Sequence, residues 1–430
     1  MPKITIRNLG PIISIEELEI KDVMVFIGPQ ASGKSTVAKA VYFFESLGGV
    51  LANAYVRRFV EKEAIERVLD FINLDVVKYW RVLFPELKLH NSYIRYEFRD
   101  GVYIDIYDKD VATIVDFSEN IKLDISNNIN TYFLNNKIFL SRTGSPAYFY
   151  TNPIGWEFVH NFSNFWSDNS KTVYIPAGRS VYAFLSENIF RSIEIDSPPQ
   201  KDVIVTFFDY LSRIKSALKS QNLLTLIEEQ DILYKSQSQG FLLNKLALEK
   251  INKILKGRYA NENGEDRIYL QGTDNYVNLR NASSGQQESL WILMSLYFAI
   301  AELSKHRFII EEPEAHLFPD SQKEIVELMA IFANAPLSNR LLITTHSPYI
   351  LTSLNNLLYA YQVGQNDEQG VSEIIGREMW LNPDRVAAYY VDNGTVAPIM
   401  EEGLIQVEQI DAISTALNIK FDQLFHFDHE

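Results

Sequence analysis

Ile4, Ile6 and Leu9 alternate with Lys3, Thr5 and Arg7, a period of two that predicts a strand with one buried face. A second strand is expected at Ile15–Ile20. Val23–Ile27 is an unbroken apolar run, the pattern of a parallel strand buried on both faces. Residues 37–43 read as a helix, and a helical pattern runs from Leu51 to Val82. Two alternating runs around Asp100-Gly101 predict a hairpin over residues 93–107. Next come an asparagine-rich stretch (Asn127, Asn128, Asn130, Asn135, Asn136) and an aromatic-rich one from Tyr148 to Trp166. Val173–Pro176 returns to a buried strand, followed by helices at Val203–Lys219 and Phe241–Lys256. The second of these is read with Lys245, Lys250, Lys253 and Lys256 on a polar face opposite Leu242, Leu246, Ile251 and Ile254. A hairpin around Gly272–Asn275 precedes an apolar helix carrying Leu290, Trp291, Leu293, Met294, Tyr297 and Ile300. Apolar strands follow at Phe308–Ile310 and Leu341–Ile343. The tail holds a hairpin around Asn393-Gly394 and a last helix at Glu408–Leu417. Buried strands interleaved with helices predict an α/β fold.

Composition narrows the chemistry. The 430 residues are 47% hydrophobic and 22% charged, which are ordinary globular values. There is no cysteine, so disulfides, thiolate metal sites and cysteine nucleophiles are excluded. No run is long and apolar enough to span a membrane. The N-terminus enters a strand directly, so no signal peptide and a cytoplasmic location are expected. A net charge of −15 is not the footprint of a protein coated with nucleic-acid-binding charge.

One segment carries specific chemistry. Gly28-Pro29-Gln30-Ala31-Ser32-Gly33-Lys34-Ser35-Thr36 satisfies G-x-x-x-x-G-K-[ST] between a predicted strand and a predicted helix. The glycines let successive N–H groups converge on a phosphate, and the helix N-terminus adds its positive dipole end. Lys34 would reach the β- and γ-phosphates of ATP, and the Ser35 hydroxyl would ligate Mg²⁺.

Such a loop serves several classes of enzyme, and three later segments narrow them. In Asn281-Ala282-Ser283-Ser284-Gly285-Gln286-Gln287-Glu288, Ser284 and Gln287 have the spacing of a capping box. This is a simple helix cap or a second anion site; a second phosphate site makes most sense acting on a neighbour's nucleotide. Strand Arg307–Ile310 ends in Glu311-Glu312, where Glu311 can hold Mg²⁺ and Glu312 can polarise the attacking water. Strand Leu341–Ile343 leads through Thr344-Thr345 to His346, at the strand end where α/β sheets bind ligands; there His346 can contact the γ-phosphate.

In this order, the glycine loop, Ser-Ser-Gly-Gln-Gln, Phe-Ile-Ile-Glu-Glu-Pro-Glu-Ala-His-Leu and Thr-Thr-His-Ser-Pro resemble the ATP-binding-cassette (ABC) ATPases of the SMC/RecF/OLD group. The Glu-Glu-Pro-Glu-Ala-His-Leu-x-Pro form and Tyr174–Arg179 (Tyr-Ile-Pro-Ala-Gly-Arg) are most similar to its OLD-like branch. The resemblance implies an ABC-type P-loop fold with a large α+β insertion between Walker A and signature. The core would be residues 1–48 and 173–360, the insertion 49–172 a recognition or partner-docking region, and 361–430 a C-terminal extension packed on the core. It also implies nucleotide-sandwich dimers or higher assemblies of the chain. Gly28 through Thr36 would bind ATP in one copy, with Ser283, Ser284, Gly285 and Gln286 as the signature of the other. Glu311 and Ser35 would hold Mg²⁺, with Glu312 and His346 catalytic. OLD-like ATPases often act in phage defence, alone or beside a nuclease, so an effector protein is an expected partner and a nucleic acid or phage component a candidate ligand.

Three departures qualify the resemblance. Glu311 stands where most cassettes have aspartate. No glutamine lies between Ala31 and Pro199 to serve as the usual Q-loop ligand. Asp384, Asp392 and Glu401 are scattered after His346 with no acidic nuclease (Toprim) arrangement, so no nuclease activity is expected in this chain. Two other readings stay open. One is a RecF-like repair ATPase acting directly on DNA, supported by the basic helix at 245–256. The other is a nucleotide-stabilised scaffold with little hydrolysis, supported by the missing glutamine.

Overall fold

The computed structural model describes residues 1–60, 68–85, 91–109, 112–123, 170–183, 202–220, 239–262, 264–302, 305–336, 339–406 and 419–424. The asparagine-rich stretch, the aromatic-rich stretch and the helix expected at 408–417 lie outside them.

An eleven-stranded sheet organises these residues. Its parallel half runs β13 (Val386–Asp392), β3 (Val23–Ile27), β12 (Arg340–Thr345), β11 (His306–Glu311) and β7 (Lys171–Ile175). Its other half is mainly antiparallel: β14 (Thr395–Pro398), β2 (Ile12–Glu19), β1 (Lys3–Leu9), β4 (Tyr93–Arg99), β5 (Val102–Lys109) and β6 (Ala112–Phe117). Strand alternation divides the core in two. Val23, Val25 and Ile27 join Val173, Ile175, Phe308, Ile310, Leu341 and Ile343 on one face. Met24, Phe26, Tyr174, Ile309 and Leu342 lie on the other, against α1 (Lys34–Val60) and α2 (Val68–Leu83). The first face is covered by α3 (Val203–Ser220), α4 (Gln239–Leu255), α5 (Ser284–Ala301), α6 (Pro319–Ala333) and α7 (Pro348–Gly364). A small three-stranded sheet, β8 (Gly257–Glu262), β9 (Glu265–Leu270) and β10 (Tyr276–Asn278), leads into α5.

Three elements differ from the sequence expectation. Helix α1 runs on through Gly48-Gly49, because Phe43, Phe44, Leu47 and Leu51 keep one apolar stripe buried across the glycines. The hairpin of the 49–172 stretch, together with β6, continues the core sheet through the β1–β4 pairing. Of the C-terminal extension, β13 is itself a strand of the core sheet: it lies beside β3, with Val386 opposite Val23 and Tyr390 opposite Ile27. A buried charge pair fastens the two halves. The Glu45 carboxylate on α1 faces the Arg307 guanidinium on β11 and accepts from the Tyr96 hydroxyl on β4, while the Glu45 carbonyl accepts from Thr172 Oγ1 at 3.1 Å.

Candidate functional site

The glycine loop links β3 to α1 at the carboxyl end of the parallel strands, beside the ends of β12 and β11. Ala31 (φ 61°) and Gly33 (φ 105°) turn left-handed to bring the chain around. Gly28 is required by space, since a β-carbon there would stand 2.0 Å from the Val391 carbonyl oxygen; at Gly33 the left-handed φ is the constraint, and a β-carbon would also press on the Ile12 side chain at 2.5 Å. Pro29, Gln30, Ala31 and Ser35 are exposed, and Thr36 is half-buried in the first turn of α1. Lys34 is buried, and its ammonium donates to the Gly28 carbonyl at 2.9 Å and the Pro29 carbonyl at 2.7 Å. Burial pushes its pKa down, and the nearby Glu312 and Glu314 carboxylates oppose that shift. Ser32 Oγ is buried without a hydrogen-bond partner. A buried cation held only by loop carbonyls and an orphaned hydroxyl in the same loop fit a phosphate-bearing ligand.

Glu311 ends β11 two residues after Ile309, on the same sheet face as α1 and therefore on the Ser35 side. Its Oε1 accepts from the Tyr174 hydroxyl at 2.7 Å and its Oε2 from the Ala177 amide at 3.1 Å. Burial, reinforced by Glu311, pushes the Tyr174 phenol well above its ordinary value, so it acts there only as a donor. Among the described residues no three His, Cys, Asp or Glu form a metal-holding group. Ser35 and Glu311 fit Mg²⁺, which takes few protein ligands and fills its octahedron with phosphate oxygens and water.

Glu312 turns away with φ 43°, a left-handed conformation that costs a non-glycine residue about 1–2 kcal/mol. Its amide donates to the Thr344 carbonyl at 2.8 Å, which ties it to β12. Its carboxylate lies 3.4 Å from His346 Nε2, and both side chains remain open to solvent. The structure thus brings together the two catalytic candidates. Glu314 fixes the same corner: its Oε1 accepts from Thr345 Oγ1 at 2.7 Å and from the His346 amide at 2.8 Å.

At the signature the capping box is one residue earlier than the sequence spacing suggested. Ser283 is the N-cap and Gln286, not Gln287, is its reciprocal partner. Two serines each followed three residues on by glutamine made both registers fit. Gln286 Nε2 also donates to the Leu255 carbonyl at 2.7 Å, while Gln287 Nε2 donates to the Leu279, Arg280 and Ala282 carbonyls of the preceding turn. Ser284 and Gly285 open α5. A β-carbon on Gly285 would stand 2.6 Å from the His316 carbonyl oxygen, so glycine lets α5 approach the loop after Glu312.

The basic helix is open as expected at Lys245, Lys253 and Lys256, with Ile251 and Ile254 buried, but departs from the expected pattern at Lys250 and Leu242. Lys250 is buried between Glu324, at 2.8 Å, and Glu327 on α6, whereas Leu242 is 43% exposed. Lys253 pairs with Glu249 at 3.0 Å. Tyr174, Arg179, Glu288 and Glu314 are the site residues that motif spacing did not single out. The only signal for the first two was the Tyr-Ile-Pro-Ala-Gly-Arg string.

Comparison with solved structures finds likenesses across nearly the whole chain at low identity. An Smc head domain of Pyrococcus furiosus, bound to the C-terminal domain of ScpA, is 13% identical, with 97% of this chain and 100% of that chain covered and a TM-score of 0.42. The SMC head domain of Thermotoga maritima is 10% identical over 93% of this chain and 98% of that one, with a TM-score of 0.38. The recombination mediator protein RecF is 10% identical over 93% and 97%, with a TM-score of 0.34. No curated protein matches. A family model, AAA_15, described as AAA ATPase domain, matches residues 125–351, just over half of the chain. That segment holds Tyr174, Arg179, the Ser284 helix start, Glu311, Glu312 and His346, and the glycine loop precedes it. The chain belongs to the AAA ATPase domain family.

Proposed function

We propose that the protein is an ATP-hydrolysing switch in which two copies close on nucleotides, each held between one chain's glycine loop and the other's Ser284-Gly285 helix start. The observation that carries this reading is the convergence of Lys34, Glu311, Glu312 and His346 at the carboxyl ends of β3, β11 and β12, with Glu312 and His346 at 3.4 Å. A triphosphate would replace the Gly28 and Pro29 carbonyls as partner of Lys34. Mg²⁺, held by Ser35 and Glu311, would neutralise charge developing on the phosphates. Glu312 accepts a proton from the attacking water as its oxygen bonds to the γ-phosphorus and the bond to the β,γ-bridging oxygen breaks. His346 orients the Glu312 carboxylate and lies where it can contact the γ-phosphate. Tyr174 and Ala177 hold Glu311 in place.

The insertion at 49–172 is proposed to recognise a trigger, a nucleic acid or phage component, and to dock a separate effector such as a nuclease. The setting would be phage defence or genome maintenance in the cytoplasm. The OLD-like motif forms support that setting, and among the described residues no helix is long and apolar enough to cross a membrane. The test is phosphate release by the purified chain with ATP and Mg²⁺. Turnover that rises with protein concentration and is lost in Glu312→Gln is the expected result; no turnover under any condition would overturn it.

A further inference from the structure

We infer that Arg179 is a positioning residue that couples the signature helix to the catalytic glutamate of the same chain. The inference rests on the two-copy reading above. Arg179 is 0% exposed, and its guanidinium joins separate segments of the site. Nε donates to the Glu288 carbonyl at 3.0 Å. Nη1 donates to the carbonyls of Pro176 at 2.7 Å and Glu311 at 2.6 Å, and Nη2 to that of Glu312 at 2.8 Å. Glu288 returns the contact, because its two carboxylate oxygens accept from the Arg179 and Ser180 amides at 2.8 and 2.9 Å. Glu288 stands four residues after Ser284, in the opening turns of α5.

A buried arginine needs its charge matched and its donors filled, and an apolar side chain would fill the same space at less desolvation cost. This one instead directs its planar fork at the main chain of both Glu311 and Glu312. Glu312 has the left-handed backbone. Its amide donates to the Thr344 carbonyl and its carbonyl accepts from Arg179, so its backbone is held on both sides. Helix α5 is buried from Gln287 to Ile300, so it has little freedom to bend independently of its packing. The close approach of Gly285 to the His316 carbonyl makes a second contact with the loop that follows Glu312. A pull on Ser284 by the partner's nucleotide therefore reaches Glu312 through Glu288 and Arg179. The water-activating carboxylate of each copy takes its working position when that copy's signature is engaged.

The test uses the full chain carrying Arg179→Lys, which keeps the charge and loses the fork, and Glu288→Gln, which keeps the shape and loses the charge. Each is compared with wild type in ATP affinity, in turnover against protein concentration, and in ATP-induced hydrogen-exchange protection at residues 284–288 and 312–317. ATP affinity is expected to stay within about threefold of wild type while kcat falls at least about tenfold. Protection at 284–288 should persist while that at 312–317 no longer responds to ATP. If Arg179→Lys does not melt cooperatively, Glu288→Gln carries the test. Variants that match wild type in kcat and in the exchange response at 312–317 would overturn the coupling. Wild-type turnover that is independent of protein concentration would instead overturn the two-copy reading beneath it.

Discussion

Lys34 holds its ammonium against two loop carbonyls in a buried position, a geometry that ATP would take over with charged oxygens. Lys34→Ala removes hydrogen bonds to a charged group, about 1.5–3 kcal/mol, so ATP affinity measured by calorimetry should fall about ten- to hundredfold. An unchanged affinity would remove the phosphate role. Glu312→Gln keeps the shape beside His346 and removes the proposed base. Single-turnover hydrolysis should drop at least about a hundredfold while binding persists. Tyr174→Phe deletes the hydroxyl that orients Glu311, and the Mg²⁺ concentration for half-maximal turnover should rise about ten- to a hundredfold, as for other lost supports of a metal ligand. The placement of the glycine loop between β3 and α1, and of Glu311-Glu312 at the end of β11, was legible in the sequence because each is a contiguous string. Tyr174 and Arg179 were not, because each meets its carboxylate from more than a hundred positions away. The Ser283/Ser284 slip has a local cause: two overlapping registers satisfy the same cap, and packing of α5 chooses between them.

Among the elements, strands with an uninterrupted or alternating apolar pattern, such as β1, β3, β11 and β12, could be read directly, as could the two hairpins turned by Asp100-Gly101 and Asn393-Gly394. Strand order could not. The tail hairpin places β13 beside β3, where the Val391 carbonyl closes on Gly28, and no local pattern encodes that pairing. The boundary expected at 48/49 falls inside α1, whose apolar stripe outweighs about 1 kcal/mol for each of the helical glycines Gly48 and Gly49. This changes how the insertion can be tested. A deletion starting at residue 49 would truncate α1 and strip β4 from β1, exposing the core, so a loss of response would not separate recognition from folding. Replacing residues 124–169 by a short linker spares α1, α2 and β4–β6; ATP binding should survive and the biological response should be lost. The Glu45–Arg307 pair sets the stability of the same junction. Glu45→Leu leaves a buried guanidinium without its carboxylate and should cost about 3–5 kcal/mol in thermal or denaturant unfolding. A cost near zero would mean that Arg307 finds another partner.

For the whole molecule, the decisive question is whether one chain or two build the active site. On the proposed reading Lys34 and Ser35, at the start of α1, would supply one side of a triphosphate, and the Ser284-Gly285 start of α5 would be a second anion-binding terminus. In a two-fold pair each terminus can face the other chain's γ-phosphate, which gives two equivalent sites. Ser284→Arg puts a bulky cation at that terminus without touching the glycine loop. ATP affinity of the dilute protein should stay close to wild type, while ATP-dependent association in sedimentation and turnover are both lost. Lys34→Ala would fail for the opposite reason, since it binds nucleotide more weakly and lacks the lysine contact to the phosphates but keeps an intact Ser284-Gly285 helix start. Neither variant alone can form a working site. In an equal mixture, the heterodimer contains one site built from the intact Lys34 of one chain and the intact Ser284 of the other. If one site can fire alone, random pairing makes heterodimers about half of the pairs, and turnover should return to about a quarter of wild type. Recovery on mixing can only come from a site shared between chains. A Ser284→Arg protein that hydrolyses ATP at the wild-type rate would show that the helix start takes no part in the reaction and that a single chain holds the complete site.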